Sequence, residues 1–369
     1  MMWDLWYNLG IFSYVEITNE NNDYNISVKE IFRYYPLPLL DFDESKGKDG
    51  TSYGFALNIL NLNGRNRQLE IGGMYGNKNI YFLRYQDPWI LGDHVSLNIN
   101  LFQILYSSFW YENQRERDFT IQLSGLEVGT GFNIKYKNKF LFNIGLIKNN
   151  IKFIDDYFLF SNLITNYKNI VLDFEYSYDS RNIFNDPTQG NLFKIAFNHA
   201  IGLKESNSYS NLQFEYNKYY MIHKFRELTF ISSSKLFLQK ENHIPIFKYE
   251  SLGSEDFVRG YNPYPNQNPE QYQNRIRYPQ ILTQSFEFQY TIIEKKSYDG
   301  FEFGIDNSVF IDFGLGGNSI KDLKENKPLI GFGTGLKFFI SGVGTISLNL
   351  GFNPTLKNPQ IHISDGTGD

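Results

Sequence analysis

One arginine stands in the middle of SLGSEDFVRGYNPYP, Ser251 to Pro265, with glycine on both sides of it and proline beyond. A guanidinium offers a planar fork of donors that matches the two oxygens of a carboxylate, so an arginine held out of water serves ion pairing rather than acid or base chemistry. The plainer reading is a solvated arginine on a hairpin loop. Residues suited to other chemistry are sparse. His94, His199, His223, His243 and His362 are scattered with no partner at ligand spacing, so no metal site is expected. There is no Gly-x-Ser-x-Gly elbow, and the acidic pair Asp155 and Asp156 falls in loop-like sequence. Gly331, Gly333 and Gly335 are followed by neither a helical pattern nor Lys-Ser/Thr, which argues against a phosphate loop. The absence of cysteine excludes disulfides, thiol catalysis and Cys-based metal sites but does not fix the compartment. No enzyme activity, cofactor or metal is expected.

The elements around the arginine must come from a chain of 369 residues, 41% hydrophobic, 18% aromatic and 20% charged, which is enough to bury a large core. The net charge is −5 and no Lys/Arg run occurs, so a nucleic-acid partner is not expected. No apolar run reaches the roughly 18 residues of a membrane helix. The mean hydropathy of −0.40 would suit a soluble protein. A transmembrane barrel gives the same average, because each strand alternates lipid-facing and lumen-facing residues. The start, MMWDLWYNLGIFSYVEI, has no basic n-region and no small-residue cleavage site, so it is not a signal peptide.

Strand patterns dominate from Tyr53 onward. In FEFGIDNSVFIDFG, Phe301, Phe303, Ile305, Asn307, Val309, Ile311 and Phe313 share one face; Glu302, Gly304, Asp306, Ser308, Phe310, Asp312 and Gly314 share the other. SFEFQYTII sets Phe286, Phe288, Tyr290 and Ile292 against Glu287, Gln289 and Thr291, and TISLNLGF, NIVLDFEYSY and NLQFEYNKYY alternate similarly. A soluble sandwich alternates too. Long strands, 34 Phe and 27 Tyr, and Asn/Asp/Lys-rich connections favour a membrane barrel. Roughly ten or eleven strands are expected before Ser251 and five after Arg277, closing at about sixteen. Between Phe102 and Asn166 two segments could each be one long strand or a broken pair. Residues 1–35 suggest a helix end capped by Gly10 and two strands, the remnant of a small domain.

Several segments, in order, resemble the BamA-like outer-membrane assembly and translocation superfamily, surface-antigen barrels preceded by POTRA domains. FVRGY, Phe257 to Tyr261, is similar to the family's loop motif, and FIDFG, Phe310 to Gly314, to its partner motif on a later strand. YDSRNIFNDPTQGNLFKIAFNHA resembles the family's strand-turn-strand segment; its DPTQG, Asp186 to Gly190, is by itself an ordinary turn with Pro at the second corner. NLNGRNRQLEIGGMYG with LRYQDPWILGDHVSL is similar to the opening strands, GFGTGLKFF to a late strand, and NLGIFSYVEI with ISVKE to the last half of a POTRA domain. The resemblance implies an all-β fold: a transmembrane antiparallel barrel of about sixteen strands over residues 36–369, after a partial α+β POTRA domain over 1–35. It implies an integral protein of the bacterial outer membrane, lying in the lipid bilayer. There it would insert other barrels or translocate a polypeptide, with unfolded outer-membrane or secreted clients and periplasmic accessory proteins as partners. The POTRA-like segment begins midway, so either an upstream segment has been lost or the protein works without it; the chain ends at Asp369 where the family usually ends in an aromatic residue, which leaves its true end open.

By the resemblance, Val258, Arg259, Gly260 and Tyr261 fold back into the barrel lumen. A guanidinium there loses hydration and needs an inward carboxylate. Asp312 lies on the polar face and is the first partner expected for Arg259, with Glu287 on the preceding strand second. Phe310 and Gly314 flank Asp312 on that face. Gly260 would permit the tight turn and Tyr261 would pack on the lumen wall. Glycines on the inner face would leave room for the loop. The first and last strands, about Tyr53 to Leu62 and Gln360 to Thr367, are expected to pair weakly and to open for clients. Two other readings stay open: a passive pore or structural barrel with the loop as a plug, and a soluble extracellular sandwich.

Overall fold

The structure, a computed structural model, describes residues 8–20, 23–42, 51–92, 94–112, 115–153, 165–204, 206–240, 250–261, 277–298, 301–341, 343–354 and 359–366. An N-terminal hairpin pairs β1 (Phe12–Glu20) with β2 (Asp23–Glu30) in antiparallel register. The helix end expected before Gly10 lies outside the described residues. Gly10 itself has φ +70°, the left-handed conformation expected of a cap.

A sixteen-stranded antiparallel meander follows. Its first half is β3 (Tyr34–Phe42), β4 (Thr51–Leu62), β5 (Arg67–Gly76), β6 (Lys78–Asp87), β7 (Val95–Glu112), β8 (Arg115–Ile134) and β9 (Asn138–Phe153). It continues through β10 (Asn166–Asp179), β11 (Gly190–Gly202), β12 (Tyr209–His223) and β13 (Leu228–Lys240). There the chain leaves the sheet, and a two-residue ladder joins β14 (Glu250–Ser251) to β15 (Arg277–Tyr278). It re-enters beside β13 as β16 (Gln280–Tyr298), then β17 (Phe301–Gly317), β18 (Leu329–Ile340), β19 (Gly344–Phe352) and β20 (Gln360–Gly366). Eleven sheet strands thus precede the Ser251 excursion and five follow it. The segments left open between Phe102 and Asn166 are single strands, β7 of 18 residues and β8 of 20.

The sheet's edges correct one expectation. Thr51–Leu62 is the second strand of the sheet; the edge is β3, paired to it from Tyr34↔Ile59 to Phe42↔Thr51. Pro36 and Pro38 hid this strand, because proline cannot donate to a ladder and is tolerated in sheets only at an edge. The Leu60 amide donates to the Arg33 carbonyl at 2.8 Å, so by two-residue alternation Tyr35, Leu37 and Leu39 present their amides to β4. Pro36 and Pro38 therefore face the open side. Among the described residues no register joins β3 to β20, at the opposite edge.

Exposure of the two faces separates the barrel from the sandwich. Along β16, Phe286, Phe288, Tyr290 and Ile292 are 36–45% exposed, whereas Glu287, Gln289 and Thr291 are 4–7% exposed. On β9, Phe142, Ile144 and Leu146 are exposed; on β17, Val309 and Ile311 are exposed while Asp306, Ser308 and Asp312 are buried. A soluble sandwich would bury the apolar face. Apolar surface on this scale, facing away from a polar interior, suits a hydrocarbon solvent. Ile144→Arg is expected to cost about 2–4 kcal/mol in urea titrations of the protein refolded into lipid vesicles, and Ile144→Leu close to nothing. An unchanged arginine variant would mean that this face does not meet lipid.

Candidate functional site

The Ser251 excursion turns back onto the polar face and buries Leu252, Val258 and Tyr261 against Phe237 of β13 and Ile281 of β16. The Val258 amide donates to the Leu252 carbonyl at 3.0 Å, which folds the segment on itself. Its approach to the wall depends on glycine. A Cβ on Gly314 would lie 2.4 Å from Val258 Cγ2, and one on Gly331 would lie 1.8 Å from the Arg259 carbonyl oxygen. Gly260, at φ +92°, makes the turn, with its α-carbon against the backbone of Phe352.

Arg259 has 12% of its side chain exposed. Its Nε donates to Asp312 Oδ2 and its Nη2 to Asp312 Oδ1, each at 2.9 Å, a two-point pair. Its backbone amide donates to the same Oδ2 at 3.0 Å, so Asp312 fixes both the side chain and the main chain of the loop tip. Nη1 reaches Glu287 Oε2 at 3.0 Å, and Nη2 contacts the Ser285 hydroxyl at 3.3 Å. The guanidinium carbon lies 3.4 Å from the centroid of the Phe310 ring, which adds a cation-π contact on a desolvated face. Register explains the convergence: Ser285 faces Asp312 and Glu287 faces Phe310 across β16 and β17.

The other named residues fall around this cluster. Tyr261 is 3% exposed, and its hydroxyl donates to the Ile330 carbonyl at 3.1 Å. The Gly260 amide donates to His362 Nε2 at 2.9 Å, and the Gly260 carbonyl accepts from Asn353 Nδ2. The loop tip is thereby tied to β20, an edge of the sheet. A polar cavity of about 400 Å³ lies beside it, bounded by Glu255, Asp256, Phe257 and Arg259 of the loop and by Asn185 and Asp186 of the β10–β11 connection.

Residues 61–366 match the Omp85 superfamily domain. The chain belongs to the Omp85 superfamily. Its fold is similar to that of BamA from Haemophilus ducreyi lacking POTRA domains 1–3, at 15% identity and a TM-score of 0.63, covering 98% of this chain and 76% of that one. CdiB from Escherichia coli is similar at 13% identity and a TM-score of 0.64, covering 95% and 66%. CdiB from Acinetobacter baumannii is similar at 11% identity and a TM-score of 0.56, covering 96% and 65%. The chain thus spans about two thirds of each CdiB chain. No curated protein matches the sequence significantly.

Four contributors to the Arg259 cluster were not singled out as such from the sequence: Ser285, Lys337, Asn353 and His362. Lys337 Nζ lies 2.7 Å from Glu287 Oε1, so Glu287 is shared between two cations. Alternation from Gly331 through Gly335 puts Lys337 on the inner face, a signal available in GFGTGLKFF. Alternation also marks His362 as inward between Ile361 and Ile363, but its contact with Gly260 depends on cross-sheet register.

Neutralising one partner of a buried pair leaves the other charge stranded, at about 3–5 kcal/mol. Arg259→Met and Asp312→Leu are each expected to destabilise the vesicle-embedded protein to urea by that amount. The double variant, which leaves Glu287 with Lys337, is expected to be more stable than either single one. Additive losses would show that the two side chains act independently.

Proposed function

We propose that the chain is an integral protein of the outer membrane of a diderm bacterium that assembles other barrel proteins or translocates a polypeptide. In this reading residues 36–369 close into a sixteen-stranded barrel through β3 and β20, and residues 1–35 are part of a POTRA domain. The clients are unfolded outer-membrane or secreted polypeptides, received with the help of periplasmic accessory proteins. Membership of the Omp85 superfamily supports the reading.

The observation that carries it is the edge strand β3. An unpaired backbone group in hydrocarbon costs several kcal/mol, so free edges in lipid must pair with each other or with something else. Pro36 and Pro38 remove two donors from the side that would close against β20. Closure there is weakened, and an incoming strand that pairs with the β20 edge competes on favourable terms. The Arg259 loop, bonded to Asp312 on β17 and His362 on β20, braces the interior so that the seam yields before the wall does. Client folding supplies the free energy, and no cofactor is needed.

The test is the folding rate of an added, urea-unfolded barrel protein in liposomes that contain the purified chain. Acceleration by the wild type, lost in Arg259→Ala, is the expected result. Pro36→Val/Pro38→Val is expected to slow client insertion about tenfold or more, as two restored hydrogen bonds of about 1 kcal/mol each imply. Ion conductance without acceleration would instead identify a passive pore.

A further inference from the structure

The connection between β10 and β11, residues 180–189, leaves its own strands and binds the polar face of strands far along the sheet. The Asp186 carboxylate lies 2.5 Å from Lys295 Nζ and accepts from Gln289 Nε2 at 2.9 Å, both on β16. The Asn185 carbonyl accepts from Thr345 Oγ1 on β19 at 2.7 Å. In sheet order β16 is three strands from β11 and β19 is six. At about 4.8 Å per strand the second span is roughly 29 Å along the sheet, beyond the reach of five or six residues at about 3.3 Å each. The polar face must therefore curl around this segment, which crosses its concave side.

The segment is also built as one piece. Asn182 Oδ1 accepts from the amides of Thr188 and Gln189, and Asn182 Nδ2 donates to the Thr188 hydroxyl. Arg181 makes a two-point pair with Asp179 and donates to the Phe184 carbonyl. Asp186 and Thr188 are buried. At its near end, Asn8, ahead of the β1–β2 hairpin, donates to the Asn182 carbonyl and accepts from the Phe184 amide, each at 3.0 Å. At its far end, Gln289 Oε1 accepts from Lys337, whose ammonium also holds Glu287, the second partner of Arg259.

We propose that this segment is a strap that closes the lumen at the end bearing the N-terminal hairpin and links the position of that hairpin to the Arg259 loop. The strap has two attachments of different kinds. Its far end is an ion pair with Lys295, joined by hydrogen bonds from Gln289 and Thr345, and its near end is two hydrogen bonds with Asn8, just ahead of the hairpin. A shift of the hairpin draws on Asn182 and Phe184; because the strap is rigid, the displacement is carried to Asp186. Release of Asp186 opens the hairpin end of the lumen and frees Gln289 and Lys337, which removes one support from Glu287. The proposal rests on the barrel reading given above and is independent of whether the client is inserted or translocated.

The natural chain has no cysteine, so a pair of thiols can be placed without background. The full chain carrying Asp186→Cys and Lys295→Cys is reconstituted in planar bilayers and bridged with a short, reducible bis-methanethiosulfonate. Conductance is expected to be several-fold above wild type before bridging, to fall to the wild-type level when bridged, and to rise again on reduction. Asn8→Ala, which severs the strap from the N-terminal segment and leaves the ion pair intact, is expected to keep the wild-type conductance and to leave Arg259 protected from trypsin. Migration that differs between unheated and boiled samples establishes that each variant has folded. Equal conductance in the bridged and free states of a folded variant would overturn the strap. Conductance that follows the bridge in a chain that never accelerates client folding would leave the strap standing and remove the insertase reading.

Discussion

An arginine leaves water only where its hydration is replaced donor by donor. At Arg259 the replacement is nearly complete: Asp312 takes two side-chain donors and the backbone amide, Glu287 takes a third side-chain donor, and Phe310 covers one face of the ion. Because Asp312 holds both the guanidinium and the main chain of residue 259, the loop cannot shift by a fraction of a turn and keep its pairing. Each partner comes from a different point of two adjacent strands, so the register of β16 on β17 and the seating of the loop specify one another.

The sheet supports this arrangement by reversing the usual order of faces. With Phe, Ile and Leu outward, the inner face is free to carry ion pairs: Glu287 with Lys337, Asp312 with Arg259 of the loop and Lys295 with Asp186 of the β10–β11 connection, while Asp306 accepts from Gln289. Glycines at 314, 331 and 351 leave a shallow lane along the wall, and the loop backbone lies in it. A side chain at any of them would hold the arginine away from its carboxylates.

Much of this was legible in the sequence because strand alternation is local. The inward side of β17 follows from the period-two pattern around Val309 and Ile311, and with it Asp312 as an inward carboxylate. What alternation cannot supply is which inward residues meet across the interior. Contacts such as His362 with Gly260, or Asp186 with Lys295, join residues about a hundred positions apart and depend on curvature and register together. Strand β3 was not read from the sequence at all, since two prolines interrupt its pattern; they are compatible with its open side. At DPTQG the turn chemistry was read without its reach, since nothing in five residues indicates that Asp186 crosses to another part of the sheet.

Pro36 and Pro38 have a second effect, before the sheet is complete. An edge strand of a partly folded chain is the natural template for fibrils and mispaired dimers, because its free amides and carbonyls invite any extended neighbour. With two amides missing from its outer side, β3 is a poor template for such growth. The missing donors thus act as a gatekeeper against aggregation while the chain is only partly folded.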